Sequence, residues 1–146
     1  MNISMVLEVI IIPDYVANLR GEKGVPPVRT MAFGQATFRI SADQHRIPYQ
    51  LSVYDIQNMT QAHIHLGGPR ENGPVVVFLY GKTQGISVDR GTVQGTIMAS
   101  NLVGPLAGRP LSELIQQMNA GNTYVNVHTE RHPEGEIRGQ VRVVMR

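Results

Sequence analysis

The 146-residue sequence has no cysteine and no tryptophan, and aromatic residues make up only 5% of it. Without cysteine there is no disulfide framework, no zinc–thiolate centre and no thiol nucleophile, although the compartment stays open because many extracytoplasmic proteins also lack cystines. With so few rings, the core has to be built mainly from Val, Ile, Leu and Met. Charge of one sign is equally scarce. The 13 Lys and Arg against 11 Asp and Glu give a formal net charge of +2, with the two signs interspersed. That balance excludes a nucleic-acid-binding arm and a polybasic membrane patch.

No apolar run approaches the ~20 residues that a membrane-spanning helix needs. The apolar stretch nearest the start, residues 5–12, carries Glu8, has no basic leading region and precedes no small-residue cleavage site. It reads as a β-branched first strand ending at Pro13, not as a signal peptide or a span. As a sheet edge, such a strand offers a route to strand exchange or dimerisation. The length fits a single domain, residues 1–146, large enough for an adequate core.

What the chain does have is alternation. Over residues 30–40, Ala36, Phe38 and Ile40 share one face and Gln35, Thr37 and Arg39 the other. Over residues 47–54, Ile47, Tyr49, Leu51 and Val53 point inward, and Pro48 marks an edge or a strand start. The run Pro74-Val-Val-Val-Phe-Leu-Tyr80 predicts a strand buried on both sides. Residues 81–91 read as turn-rich, and residues 92–98 as a further strand. Residues 110–121 predict the one helix. Pro110 opens it, Leu111, Leu114, Ile115 and Met118 form its apolar stripe, and Gly121 ends it. Residues 123–129 and 135–145 form a closing hairpin with Ile137, Val141 and Val143 inward. The fold class is therefore all-β, a Greek-key β-sandwich or flattened barrel of about eight strands with one short helix.

Two of these stretches carry chemistry. In Thr60-Gln-Ala-His-Ile-His-Leu-Gly-Gly-Pro69, His63 and His65 share a face opposite Ala62, Ile64 and Leu66. In Tyr124-Val-Asn-Val-His-Thr129, Tyr124, Asn126 and His128 share a face opposite Val125 and Val127. Three imidazoles on one side of a β scaffold make a candidate metal site. Neutral imidazole suits Cu, Zn, Ni and Fe, with Cu(II) favoured on affinity among divalent ions and zinc as the alternative. Three protein ligands leave one position for water or substrate. A symmetric hairpin register centred on His132 places His128 opposite Glu136 and Asn126 opposite Arg138. Glu136 is then the carboxylate placed to orient His128 through its second ring nitrogen. His132, in the turn, is a candidate fourth ligand. His45 reads as an exposed turn residue. The same residues also admit a structural reading. His63 and His65 would bond loop carbonyls and hold residues 67–73 against the barrel, while Asn126, His128, Glu136 and Arg138 form a polar network with an Arg138–Glu136 ion pair.

Five motifs in order carry a family resemblance: Glu22-Lys-Gly-Val-Pro-Pro-Val-Arg-Thr30, Ala62-His-Ile-His65, Asn72-Gly-Pro74, Tyr124-Val-Asn-Val-His-Thr129 and Gly135-Glu-Ile-Arg-Gly-Gln140. From about Leu19 to Val143 the chain resembles the chordin-type CHRD family, whose domains occur as repeats in an animal extracellular protein and singly in microbial proteins. The resemblance implies a fold and a domain identity more firmly than an activity, together with an extracytoplasmic or secreted setting. A second resemblance is to the Cu/Zn superoxide dismutase family, in which a His-x-His strand and a later histidine strand supply copper ligands outside a β-barrel. His63, His65 and His128 match that pattern in order and facing. The chain departs from it in lacking the bridging histidine, the zinc loop and the cystine, which disfavours a binuclear centre.

Three functions follow as expectations. The first is a non-catalytic, copper-type metal-binding domain using His63, His65 and His128. The second is an extracellular protein-binding or structural module without metal, and the third a mononuclear copper redox enzyme.

Overall fold

In the computed structural model the described residues are 12–145, and the expected first strand at residues 5–12 lies almost wholly outside them. The elements are β1 (Tyr15–Arg20), β2 (Phe33–Phe38), β3 (Ile47–Leu66), β4 (Val75–Ile97), helix α1 (Leu111–Asn119), β5 (Thr123–Thr129), β6 (Ile137–Gln140) and β7 (Arg142–Val143). The all-β class holds, with seven strands and one α-helix among the described residues. All pairings are antiparallel. β1 pairs with β2 and β6, β6 with β5, β5 with β3, and β3 with β2, so five strands close a ring. β4 flanks β3 along its length and β7 extends the pairing of β1.

Closure depends on β3 changing partners halfway. Its residues Tyr49, Leu51 and Val53 lie in the stretch paired with β2, while Ala62, Ile64 and Leu66 lie in the stretch paired with β5. Between the two, Asp55 and Asn58 take left-handed backbone conformations, with φ of 51° and 54°. The register with β4 slips between Ile56 and Met59, and again between Met59 and Gln61. Each extra residue bends the strand and moves the following side chains to the other face. The buried positions run Ile47, Leu51, Val53, then Ile56, Met59, Ala62 and Ile64, with three-residue steps in the middle. The parity change is decisive. Without it, the odd-numbered His63 and His65 would point into the core that the odd-numbered Leu51 and Val53 occupy.

The expected turn-rich stretch at residues 81–91 is instead strand. β4 runs through it opposite β3, which supplies partners for Gly81, Ile86, Val88, Arg90 and Gly91. Glycine and polar residues there mark irregularities absorbed within a long hairpin, and two expected strands on each side become one. Pro48 sits near the start of β3, as one of the two expectations had it. The helix buries Leu111, Leu114, Ile115 and Met118, all four stripe residues, against the barrel. At the C-terminus Ile137 and Val141 are buried as expected, but Val143 is 49% exposed, because β7 pairs only with the end of β1.

The two left-handed residues give a direct test of the bulge. Asp55 and Asn58 are exposed, so substitution there changes backbone preference with little change in packing. Asn58→Gly should leave the urea midpoint unchanged or raise it, whereas Asn58→Val should lower stability by about 1–2 kcal/mol, the cost of a left-handed β-branched residue.

Candidate metal centre

The partner change in β3 brings three histidines to one place. His63 lies opposite Asn126 and His65 opposite Tyr124 on β5, while His128 lies opposite Gln61, diagonal to His63. One ring nitrogen from each of His63, His65 and His128 falls within 4.8 Å of the others. Ring centroids are 4.7 Å apart for His63–His128, 5.6 Å for His63–His65 and 5.9 Å for His65–His128. Ala62, Ile64, Val125 and Val127 on the opposite face are fully buried in the core. The one-sided strands and converging imidazoles are as expected.

Hydrogen bonds fix which nitrogens face inward. Nδ1 of His65 lies 2.9 Å from the Gly73 carbonyl, and Nδ1 of His128 lies 2.9 Å from the Pro133 carbonyl. A carbonyl only accepts, so both Nδ1 atoms carry the proton and both Nε2 atoms present lone pairs. Nε2 of His63 lies 3.0 Å from the Gln61 side-chain oxygen, which leaves Nδ1 as its lone-pair atom. That Nδ1 faces Nε2 of His128 at 3.1 Å. Nε2 of His65 is buried and has no partner. Three acceptors therefore converge with no donor among them, a donor set that fits a cation.

The surroundings are drier than a strand surface. The polar face is covered, and His63, His65 and His128 are 5%, 8% and 6% exposed. Burial is the leading cause of depressed basicity in all three. His63 is pushed down to about 3 by burial and then by His128 and His65. His65 and His128 are lowered by burial against the opposing effect of their carbonyl contacts. All three are neutral at pH 7, as metal binding requires.

The cover is the loop at residues 67–74, and Arg138 holds it. Arg138, 2% exposed, donates from Nη1 to Asn72 Oδ1 at 2.9 Å and from Nη2 to the carbonyls of Gly68 and Glu71 at 2.9 and 2.6 Å. Its guanidinium carbon lies 3.5 Å from the centroid of the Tyr124 ring, and Tyr124 also stacks on His65 with centroids 4.8 Å apart and planes 9° apart. The Tyr124 hydroxyl accepts from the Gly73 N–H at 2.9 Å. Gln140 Nε2 donates to the Gly67 carbonyl at 2.8 Å. Gly73 itself cannot be replaced cheaply, because a Cβ there would fall 1.6 Å from the Leu66 carbonyl oxygen.

Two expected contacts are not made. The register is as expected, with Asn126 opposite Arg138, but Glu136 does not orient His128. Its oxygens accept from the hydroxyls of Thr30 and Thr129 at 2.8 and 2.9 Å, and the Pro133 carbonyl takes the His128 position instead. The turn curls its own backbone under the ring, which a symmetric register does not anticipate. The expected Arg138–Glu136 ion pair is likewise absent, since Arg138 points toward the loop and Glu136 toward Thr30. His132 lies outside the three-histidine group, with its backbone N–H donating to Thr129 Oγ1. Asn126 Nδ2 donates to the Glu134 carbonyl and so shapes the turn. The loop-carbonyl contact of the structural reading is made by His65 at Gly73, whereas Gln61, Pro133 and Tyr124 were not foreseen as partners of the imidazoles. The Pro133 carbonyl comes from the turn's own backbone path and leaves no signal in a sequence, though Tyr124 was already placed on the histidine face.

A closed antiparallel β-barrel carrying a buried, loop-covered cluster of three neutral imidazoles is the class of protein that this fold and site define. The particular family follows from comparison: residues 15–141 match the model of the CHRD domain, and the chain belongs to that family. It is similar to chordin of Danio rerio, 29% identical over 124 residues, which are 81% of this chain and 12% of that protein. It is likewise similar to chordin of Xenopus laevis, 30% identical over 129 residues, covering 86% of this chain and 12% of the relative. The chain thus spans about an eighth of the length of these relatives. No solved structure matches it. Among the described residues no helix is long and apolar enough to cross a membrane.

Two outcomes follow. In the unfolded chain these histidines titrate near 6.5, whereas in the folded chain their values are lowered, His63 to about 3. As pH falls below 6.5 the unfolded state takes up protons that the folded state refuses, so the metal-free protein loses stability down toward pH 3. Melting temperature measured from pH 7.5 to 4 should fall, and His63→Ala should flatten the fall. Arg138→Met should cost about 1–3 kcal/mol in urea unfolding, because it strips the donors from two loop carbonyls and an amide oxygen.

Proposed function

We propose that this domain is a non-catalytic metal-binding β-barrel that holds one copper-type ion through Nδ1 of His63 and Nε2 of His65 and His128, with zinc as the alternative ion. The observation that carries the reading is the buried Nε2 of His65, which has no hydrogen-bond partner and faces two further lone pairs. An unsatisfied buried acceptor costs about 1–3 kcal/mol, and a cation at this point would satisfy His65 Nε2 while also drawing on the His63 and His128 nitrogens that face each other. The carbonyls of Gly73 and Pro133 would hold two ligand rings in the correct tautomer, and Gln61 the third.

A second reading is favoured by the family. Relatives named chordin contain this domain within much longer chains, which fits an extracytoplasmic module that binds a partner protein without metal. The exposed Met31, Phe33, Phe78 and Ile86 would serve such a contact. A copper redox enzyme is a third and weaker reading. The covering loop carries Arg70 and Glu71, whose charges offset each other and offer little steering of an anionic substrate.

Metal analysis of protein purified without an affinity tag should find about one ion per chain after incubation with copper. His63→Ala combined with His65→Ala should abolish uptake while keeping the β-type circular dichroism, since both rings lie outside the aliphatic core. Equal uptake by wild type and double variant would instead favour the metal-free module.

A further inference from the structure

The three-histidine reading leaves the oxidation state of its ion undecided, and the surroundings of the cluster carry the question further. We infer that the site is selective for a monovalent d10 ion, Cu(I), over Cu(II) and Zn(II). This inference rests on the reading above and adds ion selectivity to it. Imidazole is a ligand for all three ions, so donor type does not discriminate among them. Charge and coordination number do.

Every donor is neutral. No carboxylate joins His63, His65 and His128 in the metal-competent group among the described residues. The two buried charges nearby have opposite sign and are both otherwise engaged. Glu136 is held by the Thr30 and Thr129 hydroxyls, and Arg138 stacks on the Tyr124 ring that in turn stacks on His65. The Glu136 oxygens are turned to those hydroxyls and not to the ring nitrogens, so no carboxylate meets an incoming dication. The self-energy of a buried ion scales with the square of its charge, so a dication costs about four times as much to desolvate there as a monocation.

The pocket also restricts ligand number. Zn(II) in a three-histidine site completes its shell with water. Here Nε2 of His65 is shielded from solvent, the Tyr124 ring lies flat on His65, and the Phe78 ring stands at 4.4 Å against His63. Three nitrogens at about 2.0 Å from a central ion in one plane lie about 3.5 Å from one another. The His63–His128 nitrogens stand at 3.1 Å and all three within 4.8 Å, so small ring rotations reach a planar three-coordinate arrangement. Cu(I) is satisfied by three nitrogens in a plane, whereas Cu(II) and Zn(II) are not.

The test uses the full chain, anaerobic and tag-free. Cu(I) kept reduced by ascorbate is titrated against a Cu(I) chelator, Ag(I) serves as a redox-inert monovalent ion, and Zn(II) and Cu(II) are titrated separately. Cu(I) and Ag(I) should each bind at one per chain, about 100-fold or more tighter than Zn(II). Gln61→Glu keeps an acceptor for His63 Nε2 and adds one negative charge beside the site, so it should narrow the Cu(I)/Zn(II) ratio about tenfold. Zn(II) or Cu(II) bound as tightly as Cu(I) overturns the selectivity and leaves the three-histidine site standing. No uptake of any of the four ions overturns both.

Discussion

A cation buried without an acidic partner organises this domain. The Arg138 guanidinium is shut away from water, and neutral oxygens of the 67–74 loop meet its protons while the Tyr124 ring covers it. Burial lowers its pKa from the usual arginine value, yet a guanidinium stays charged across the accessible range. Its charge therefore has to be answered by dipoles. The loop supplies them by folding its carbonyls inward, and that fold is what sets the Gly73 carbonyl against His65. Remove the cation and the loop loses the reason for its shape.

From that constraint the imidazole cluster follows. Arg138, Tyr124 and His65 form one stack, so the ring that bears the unpartnered nitrogen is fixed in plane and tilt by groups that never touch an ion. The carbonyl contacts answer to both readings that the sequence left open. A hydrogen bond from Nδ1 to a backbone oxygen holds a loop down, and the same bond turns the other ring nitrogen into a free lone pair. Structural and ligating roles are compatible here because each ring has two distinct nitrogens.

How far the sequence could be read depends on what kind of interaction each feature uses. Period-two alternation located β5 and the start of β3 to the residue and β2 to within two or three residues at each end, because one face of each meets the aliphatic core. Helical spacing located α1 to within a residue or two at each end. Gly81 and Gly91, by contrast, looked like turn punctuation, yet lie within β4, where the facing strand supplies their pairing. Glu136 looked like the partner of His128 because strand geometry put them side by side, but the turn backbone was closer. Pairings between side chains of complementary charge were over-read, and the loop carbonyls were expected to meet the imidazoles but not Arg138.

The amino-acid sequence by itself determined the all-β class, the single short helix, the hairpin register and the shared face of His63 and His65, since these rest on the spacing of residues close together in the chain. Tertiary structure alone decided that β3 changes partner and parity at Asp55–Asn58, that the 67–74 loop closes over Arg138, and that His63, His65 and His128 meet in a dry site. The physical reason is range. Alternation is local and written in neighbouring side chains, whereas the desolvation of an imidazole or a guanidinium depends on backbone atoms brought from distant parts of the chain.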